Sequence, residues 1–421
     1  MTEPRPTADL LSNRIQPYAW GSVTAIARLT GRQPSGGPQA ELWMGAHPAA
    51  PSRVDRGSGA EPLDAVIARD PEGELGARVA ARFGPRLPFL LKVLAAEHAL
   101  SVQVHPSAAQ ARTGYAAEQA ARIPPDAPNR IYRDPYHKPE LLCALDEFDA
   151  LCGFRQPAAT ADLLAPLGVR ALDPWIGILR TAEPGTALRT VLTRSLGADR
   201  ARGERAAAEL APALERAARA PGPHRDSYAA YAAAARDYPG DPGLVAALLL
   251  NHVRLAPGQA IFLDARVPHA YLRGTGVEIM AGSDNVLRCG LTPKHVDVAA
   301  LAAVVDFRPS APALVPALVP ATPGEREETH SSGERGETHY PSPAAEFALS
   351  RLDLAGRAEL DCDGPQILLC TEGRTRIRRD STGELTMRQG DSAFVPAADT
   401  PVALTGTATL YRARVPVQPT A

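Results

Sequence analysis

The chain is nearly devoid of lysine. Only Lys92, Lys138 and Lys294 stand among its 45 basic residues, so arginine carries almost all of the positive charge. A lysine that persists against such a bias marks a place where a compact, tunable ammonium is needed and a planar guanidinium does not fit. All three sit in unusual company, L-P-F-L-L-K-V-L, Y-H-K-P-E and L-T-P-K-H. Paired cysteines are missing as well. Cys143, Cys152, Cys289, Cys362 and Cys370 are an odd number with no C-x-x-C, which argues against a disulfide framework or a thiolate zinc site and leaves them as small core residues. The longest apolar runs, such as V-A-A-L-L-L, fall far short of the roughly 20 residues that span a bilayer. The N-terminal M-T-E-P-R-P-T-A-D has no apolar signal core. A cytoplasmic protein without a membrane partner is expected. A net charge of -2 supplies no global attraction to polyanions, so nucleic acid is not an expected partner either.

What remains is a globular composition, 45% apolar and 22% charged, over 421 residues. Single cores stop growing near roughly 250–300 residues, so two or three domains are expected. Residues 89–94 and 100–105 read as short strands, as do 140–145 and 260–263. Ser107 is a candidate N-cap for a helix running to Arg122. Residues 160–251 turn to Ala, Leu, Glu and Arg at helical spacing, after which the β pattern resumes. The fold class is therefore mainly β with a helical insertion: a discontinuous β domain over 1–159 and 252–309, interrupted by a helical domain over 160–251. Residues 310–344, Pro-rich and then polar with the near-repeat E-R-x-E-T-H, read as a flexible linker. Residues 345–421 read as a second small β-barrel, and this tail contains no histidine.

In L-S-V-Q-V-H-P, strand alternation turns Val102 and Val104 one way and Gln103 and His105 the other. Alone this is an ordinary polar strand face. Y-H-K-P-E adds Glu140 at the start of another strand, and V-P-H-A-Y adds His269 at the end of a third. Two imidazoles, a carboxylate and an amide oxygen suit a divalent cation of zinc type in an open site, where water or a substrate oxygen completes the shell. Downstream, G-V-E-I-M-A-G-S-D-N-V-L-R-C-G-L-T-P-K-H carries Glu278, Asp284, Arg288 and Lys294 between apolar segments, so some of these charges should face a cavity. A cavity with Arg and Lys suits a phosphorylated small molecule.

N-R-I-Q-P-Y-A-W-G-S, E-L-W-M-G-A-H-P, S-V-Q-V-H-P, Y-H-K-P-E and G-S-D-N-V-L-R-C-G-L-T-P-K resemble the type I phosphomannose isomerases, in order and spacing. The likeness covers residues 13–155 and 245–300, with the helical insert and tail alike only in character. It implies cupin-type (jelly-roll) β-barrels plus an α-helical domain. It implies one zinc ion on Gln103, His105, Glu140 and His269, and Arg288 as the catalytic arginine. Ser101 and Lys294 would contact the phosphate, and Lys92, His137, Lys138, Glu278 and Asp284 would be the other polar residues of the site. Trp20, Glu41 and Trp43 read chiefly as packing residues. The implied reaction interconverts mannose 6-phosphate and fructose 6-phosphate through a cis-enediol without a redox cofactor. His137, Lys138, Glu278 and Asp284 all stand as candidates for the proton-transferring group. A sugar phosphate is the expected partner and a monomer the expected state. Two rival readings share the residues: a metal-dependent cupin oxygenase, since two histidines and a carboxylate also bind non-haem iron, and a sugar-binding cupin without turnover.

Overall fold

The computed structural model describes residues 7–416, apart from residue 58, residues 319–335, residue 362 and residues 380–382. Alternation along Phe89–Ala96 sets the first sheet: Leu91, Val93 and Ala95 point to one face, Leu90, Lys92 and Leu94 to the other. Neighbouring strands keep that phase. Leu42 and Met44 of Glu41–Gly45, Leu141 and Cys143 of Glu140–Ala144, and Val277 and Ile279 of His269–Ala281 join Leu91 and Val93 in one buried cluster. The other face carries Glu41, Trp43, Lys92, Glu140 and Glu278, with Lys92 directly opposite both Trp43 and Glu278. The strand order is Leu314–Val315, Ala260–Leu263, Glu140–Ala144, His269–Ala281, Phe89–Ala96, Glu41–Gly45, Arg14–Gln16, antiparallel throughout.

His269–Ala281 turns a corner. Its second half pairs with Phe89–Ala96 and Glu140–Ala144, its first half with Val102–Val104 and Phe148–Phe154. Gly274 sits at the change of partner with φ 126°, and a Cβ there would lie 2.7 Å from the Glu147 carbonyl oxygen, so the close pass requires glycine. Val102–Val104 also pairs with Leu287–Gly290. Val102, Val104, Leu287 and Cys289 turn outward into a core shared with helices, which leaves Gln103 and Arg288 facing the opposite side.

Those helices run from Pro157–Leu164 to Gly243–Leu248, an excursion between the strands Phe148–Phe154 and Leu250–Leu255, which pair with each other. The first helix opens at Pro157, where proline's fixed φ and missing N–H suit a first turn. Leu188, Leu192, Leu210, Leu214 and Leu244 share one cluster with the strand residues, so the helices cover the outer face of the Val102–Val104 and Leu287–Gly290 strands. Ser107 does cap a helix, Ala108–Ala120, in a reciprocal box with Gln110. No described helix is long and apolar enough to cross a membrane.

The C-terminal sheet is built on the long strands Ala348–Leu360, Gln366–Arg379 and Val402–Arg414. It reaches past the bounds drawn from sequence. Asp9–Leu10 pairs with Ala393–Phe394 at its edge, and Ala8 lies in its core. Glu337–Tyr340, placed by the sequence reading in the linker, is a strand pairing with Leu349–Leu352. The reason is partnership: Glu337 reaches Arg412 at 3.2 Å, and Tyr340 is buried among Phe347, Leu349 and Tyr411. The remainder of the charged stretch, 319–335, lies outside the described residues. Strand and helix make up nearly equal shares, 33% and 32%, so the chain is mostly sheet by a narrow margin. Phe347, Ile367, Phe394 and Tyr411 join Leu91, Val93 and Leu141 in one cluster, which fuses the two sheets back to back.

Candidate active site

His105, Glu140 and His269 converge from three segments. Nε2 of each histidine lies 3.4 Å from Glu140 Oε2, and all three side chains are buried. The outer nitrogens are occupied: His105 Nδ1 contacts the Asn285 carbonyl at 2.8 Å, and His269 Nδ1 the Val267 carbonyl at 3.0 Å. An Nδ1–H donating to a carbonyl fixes the tautomer that leaves the Nε2 lone pair pointing inward, the arrangement of metal-bound histidines. His105 Nε2 is buried without a hydrogen-bond partner. Such an atom costs free energy unless something accepts its lone pair. Burial pushes the His105 imidazole down to about 4 and so keeps it neutral. Burial alone would keep the Glu140 carboxyl protonated, but the Lys138 ammonium at 2.9 Å holds it well below the usual range. Two imidazoles and a carboxylate aimed at one point fit zinc.

The register brings Gln103 beside this cradle. Gln103 stands directly opposite His269 on one side and Arg288 on the other. Its amide nitrogen lies 3.3 Å from Ser101 Oγ, which leaves Oε1 as the free donor atom.

Lys92 is the centre of a second buried group, 3.3 Å from Glu278 and 3.7 Å from Glu41. Burial opposes its charge, yet Glu41, Glu278 and Glu140 outweigh that and hold the ammonium firmly protonated. Glu278 also accepts a hydrogen bond from the Tyr271 hydroxyl at 2.8 Å, and burial, against the pull of Lys92, raises its carboxyl. Asp284 lies 3.5 Å from His47, which holds its carboxyl low. His137 is turned to the C-terminal sheet's approach, its Nε2 2.8 Å from Glu346 Oε1.

Arg288 and Lys294 have no carboxylate partner among the described residues. Burial and the neighbouring Arg133 make the Arg288 guanidinium easier to deprotonate than usual, while burial, Arg288 and Arg133 do the same to the Lys294 ammonium. Uncompensated cations that destabilise one another form a place for an anion.

Several participants went unread in the sequence. Glu41 and Trp43, read as packing, belong to the Lys92 group, with Trp43 Nε1 donating to Glu41 at 2.6 Å; a glutamate inside an apolar strand was the available signal. Asn285, fully buried, accepts from Arg133 N at 2.7 Å and donates to the Asp134 and Tyr136 carbonyls at 2.7 and 2.8 Å. It thus ties the Y-R-D-P-Y-H-K loop to the backbone that orients His105. Arg133 and Glu346 carried no signal of their own.

Residues 10–157 match the model of the phosphomannose isomerase type I catalytic domain, and residues 336–415 match that of the mannose-6-phosphate isomerase cupin domain. The mannose-6-phosphate isomerase of Escherichia coli K12 is 40% identical over 405 residues, 96% of this chain and 98% of that protein. The rat protein of the same name is 32% identical over 93% of each chain. Among solved structures, a mannose 6-phosphate isomerase in its zinc-bound holo form superposes with a TM-score of 0.86 at 38% identity, covering 98% of this chain and all of that one. A mutant phosphomannose isomerase from Salmonella typhimurium gives the same TM-score, identity and coverage. Likeness of this extent, over both sheets and the helices between them, places the chain in the type I phosphomannose isomerase family.

Proposed function

We propose that the chain is a zinc-dependent aldose–ketose isomerase that interconverts mannose 6-phosphate and fructose 6-phosphate through a cis-enediol. The observation that carries this is the buried cradle of His105, Glu140 and His269, with Gln103 alongside and the unpaired cations Arg288 and Lys294 beyond it. We assign the metal to His105, Glu140, His269 and Gln103 Oε1. The chemistry supplied by a zinc ion held there is Lewis acidity toward the sugar oxygens. Arg288, across the strand pair from Gln103, meets the negative charge that develops on the enediolate. Ser101 and Lys294 take the phosphate, which is charged alike at every stage. Lys92, between Glu41 and Glu278, binds substrate oxygens as a fixed ammonium. A proton leaves C2 of the aldose and returns to C1, carried by a group drawn from His137, Lys138, Glu278 and Asp284. Around this site we read two cupin-type barrels and a helical insert, in a cytoplasmic monomer acting on a small sugar phosphate, with neither nucleic acid nor membrane as partner.

The test is a coupled assay for fructose 6-phosphate formation with zinc-loaded protein. Turnover that disappears when zinc is removed supports the reading. Bound iron with oxygen uptake would favour the oxygenase instead, and sugar-phosphate binding without turnover a regulatory protein.

A further inference from the structure

The C-terminal unit has no assigned part in the chemistry, yet it sends one side chain to the active-site loop. Glu346 precedes the strand Ala348–Leu360, and its neighbour Phe347 is buried in the cluster that joins the two sheets, so the backbone there is anchored. Glu346 Oε1 lies 2.8 Å from His137 Nε2, with the carboxylate side chain only 14% exposed. The second oxygen, Oε2, is buried and has no hydrogen-bond partner. His137 itself opens the short His137-Lys138-Pro139 segment that leads into Glu140, a residue of the metal cradle. It keeps 32% of its side chain exposed, and its Nδ1 makes no hydrogen bond among the described residues.

We propose that Glu346 is a positioning residue, which holds His137 as the Nε2–H tautomer and so leaves Nδ1 as the base atom of the isomerisation. The inference rests on the reading of the site as an isomerase and selects His137 among its four candidate proton carriers. The balance is simple. Nδ1 accepts the proton from C2, the C–H electron pair becomes the C1=C2 bond of the enediol, and the C1 carbonyl π pair moves to its oxygen, which takes up the proton that the C2 hydroxyl gives up as C2 becomes the ketose carbonyl. Return of the proton to C1 restores neutral His137 with its Nε2–H still on Glu346, whose carboxylate stays ionised throughout. Burial works against that ionisation, and the hydrogen bond from His137, together with the backbone N–H groups of Glu346 and Ala345, overrides it to hold the carboxyl low.

The test compares Glu346→Ala, Glu346→Gln, Glu346→Asp, His137→Ala and Glu346→Ala/His137→Ala in zinc-loaded full-length protein, reading kcat, KM and melting temperature. A general base contributes roughly 100-fold or more, so His137→Ala should lose about that much kcat. Glu346→Ala should lose about 10-fold or more in kcat with KM within twofold, Glu346→Asp should recover part of it, and the double variant should be no slower than His137→Ala alone. Glu346→Gln, which keeps the volume and drops the charge, should fall between the parent and Glu346→Ala and stands in for it if alanine prevents folding. Unchanged kcat in the Glu346 variants, with or without a lower melting temperature, would overturn the positioning role while the isomerase reading stands. Fully additive losses in the double variant would overturn it as well. Parent-like turnover in His137→Ala would remove His137 as proton carrier, and absence of turnover in the parent protein would remove the isomerase reading itself.

Discussion

Lys92 can be removed with consequences that the structure sets in advance. Lys92 is 5% exposed, between Glu41 at 7% and Glu278 at 2%, so Lys92→Met would leave two buried carboxylates with no cation between them. Breaking a buried ion pair from one side costs roughly 3–5 kcal/mol when the stranded charge stays ionised. Glu278 has a way out, since burial already raises its carboxyl and Lys92 is the strongest influence holding it down. Without Lys92 it should take up a proton. An acid raised in the folded state destabilises least below its unfolded value of about 4.3, and the penalty accrues as pH climbs from there toward the folded value. The loss in Lys92→Met should therefore be small near pH 5 and approach its full size by pH 8, on the order of 5–10 °C in melting temperature. Adding Glu278→Gln removes the charge that needed neutralising and should restore most of the stability at pH 8. Thermal unfolding of both zinc-loaded variants across this range decides the matter. An equal loss at pH 5 and pH 8, or no recovery in the double variant, would refute the reasoning.

Other outcomes follow from the cradle and its surroundings. Purified protein should hold about one zinc per chain, and chelation should abolish isomerase activity and lower the melting temperature, because ligand binding to the folded state stabilises it by mass action; full activity after verified metal removal would contradict this. Arg288→Ala should lower kcat with little change in KM, whereas Lys294→Ala should chiefly raise KM and weaken inhibition by inorganic phosphate. Steady-state kinetics showing the reverse pattern would overturn that division. Asn285→Ala removes the side chain that fixes the backbone holding His105 Nδ1, so competitive zinc titration should show affinity reduced by roughly 10-fold or more; unchanged affinity would mean that the loop holds itself.

Much of this site was legible because strands write their geometry into sequence. Alternation in V-Q-V-H separated Val102 and Val104, which meet the helices, from Gln103, which does not, and the three lysines stood out by scarcity alone. Lys92 and Lys138 are buried against carboxylates, while Lys294 is the more exposed of the three and lies near Arg288 and Arg133. What stayed hidden is long-range. The contact of His137 with Glu346 spans 209 positions, that of His105 with the Asn285 carbonyl spans 180, and that of Arg133 with the Asn285 side chain spans 152. None has a local pattern, since each depends on the corner that His269–Ala281 turns near Gly274 and on the fusion of two sheets through Phe347 and Tyr411.

The boundaries failed for a related reason. A two-residue strand such as Asp9–Leu10 has no periodicity to detect, and Glu337–Tyr340 reads as polar linker until Arg412 is placed beside it. The same physics explains why the metal cradle is assembled from three separate segments. A strand puts alternate side chains on opposite faces, so adjacent residues of one strand cannot both face the site. His105, Glu140 and His269 each lie at or just beyond the end of a strand, where antiparallel register brings neighbours together. The backbone carbonyls freed at those ends, at Val267 and Asn285, then take the outer N–H of each histidine. Strand ends thus supply both the inward-facing donor atoms and the hydrogen bonds that orient them.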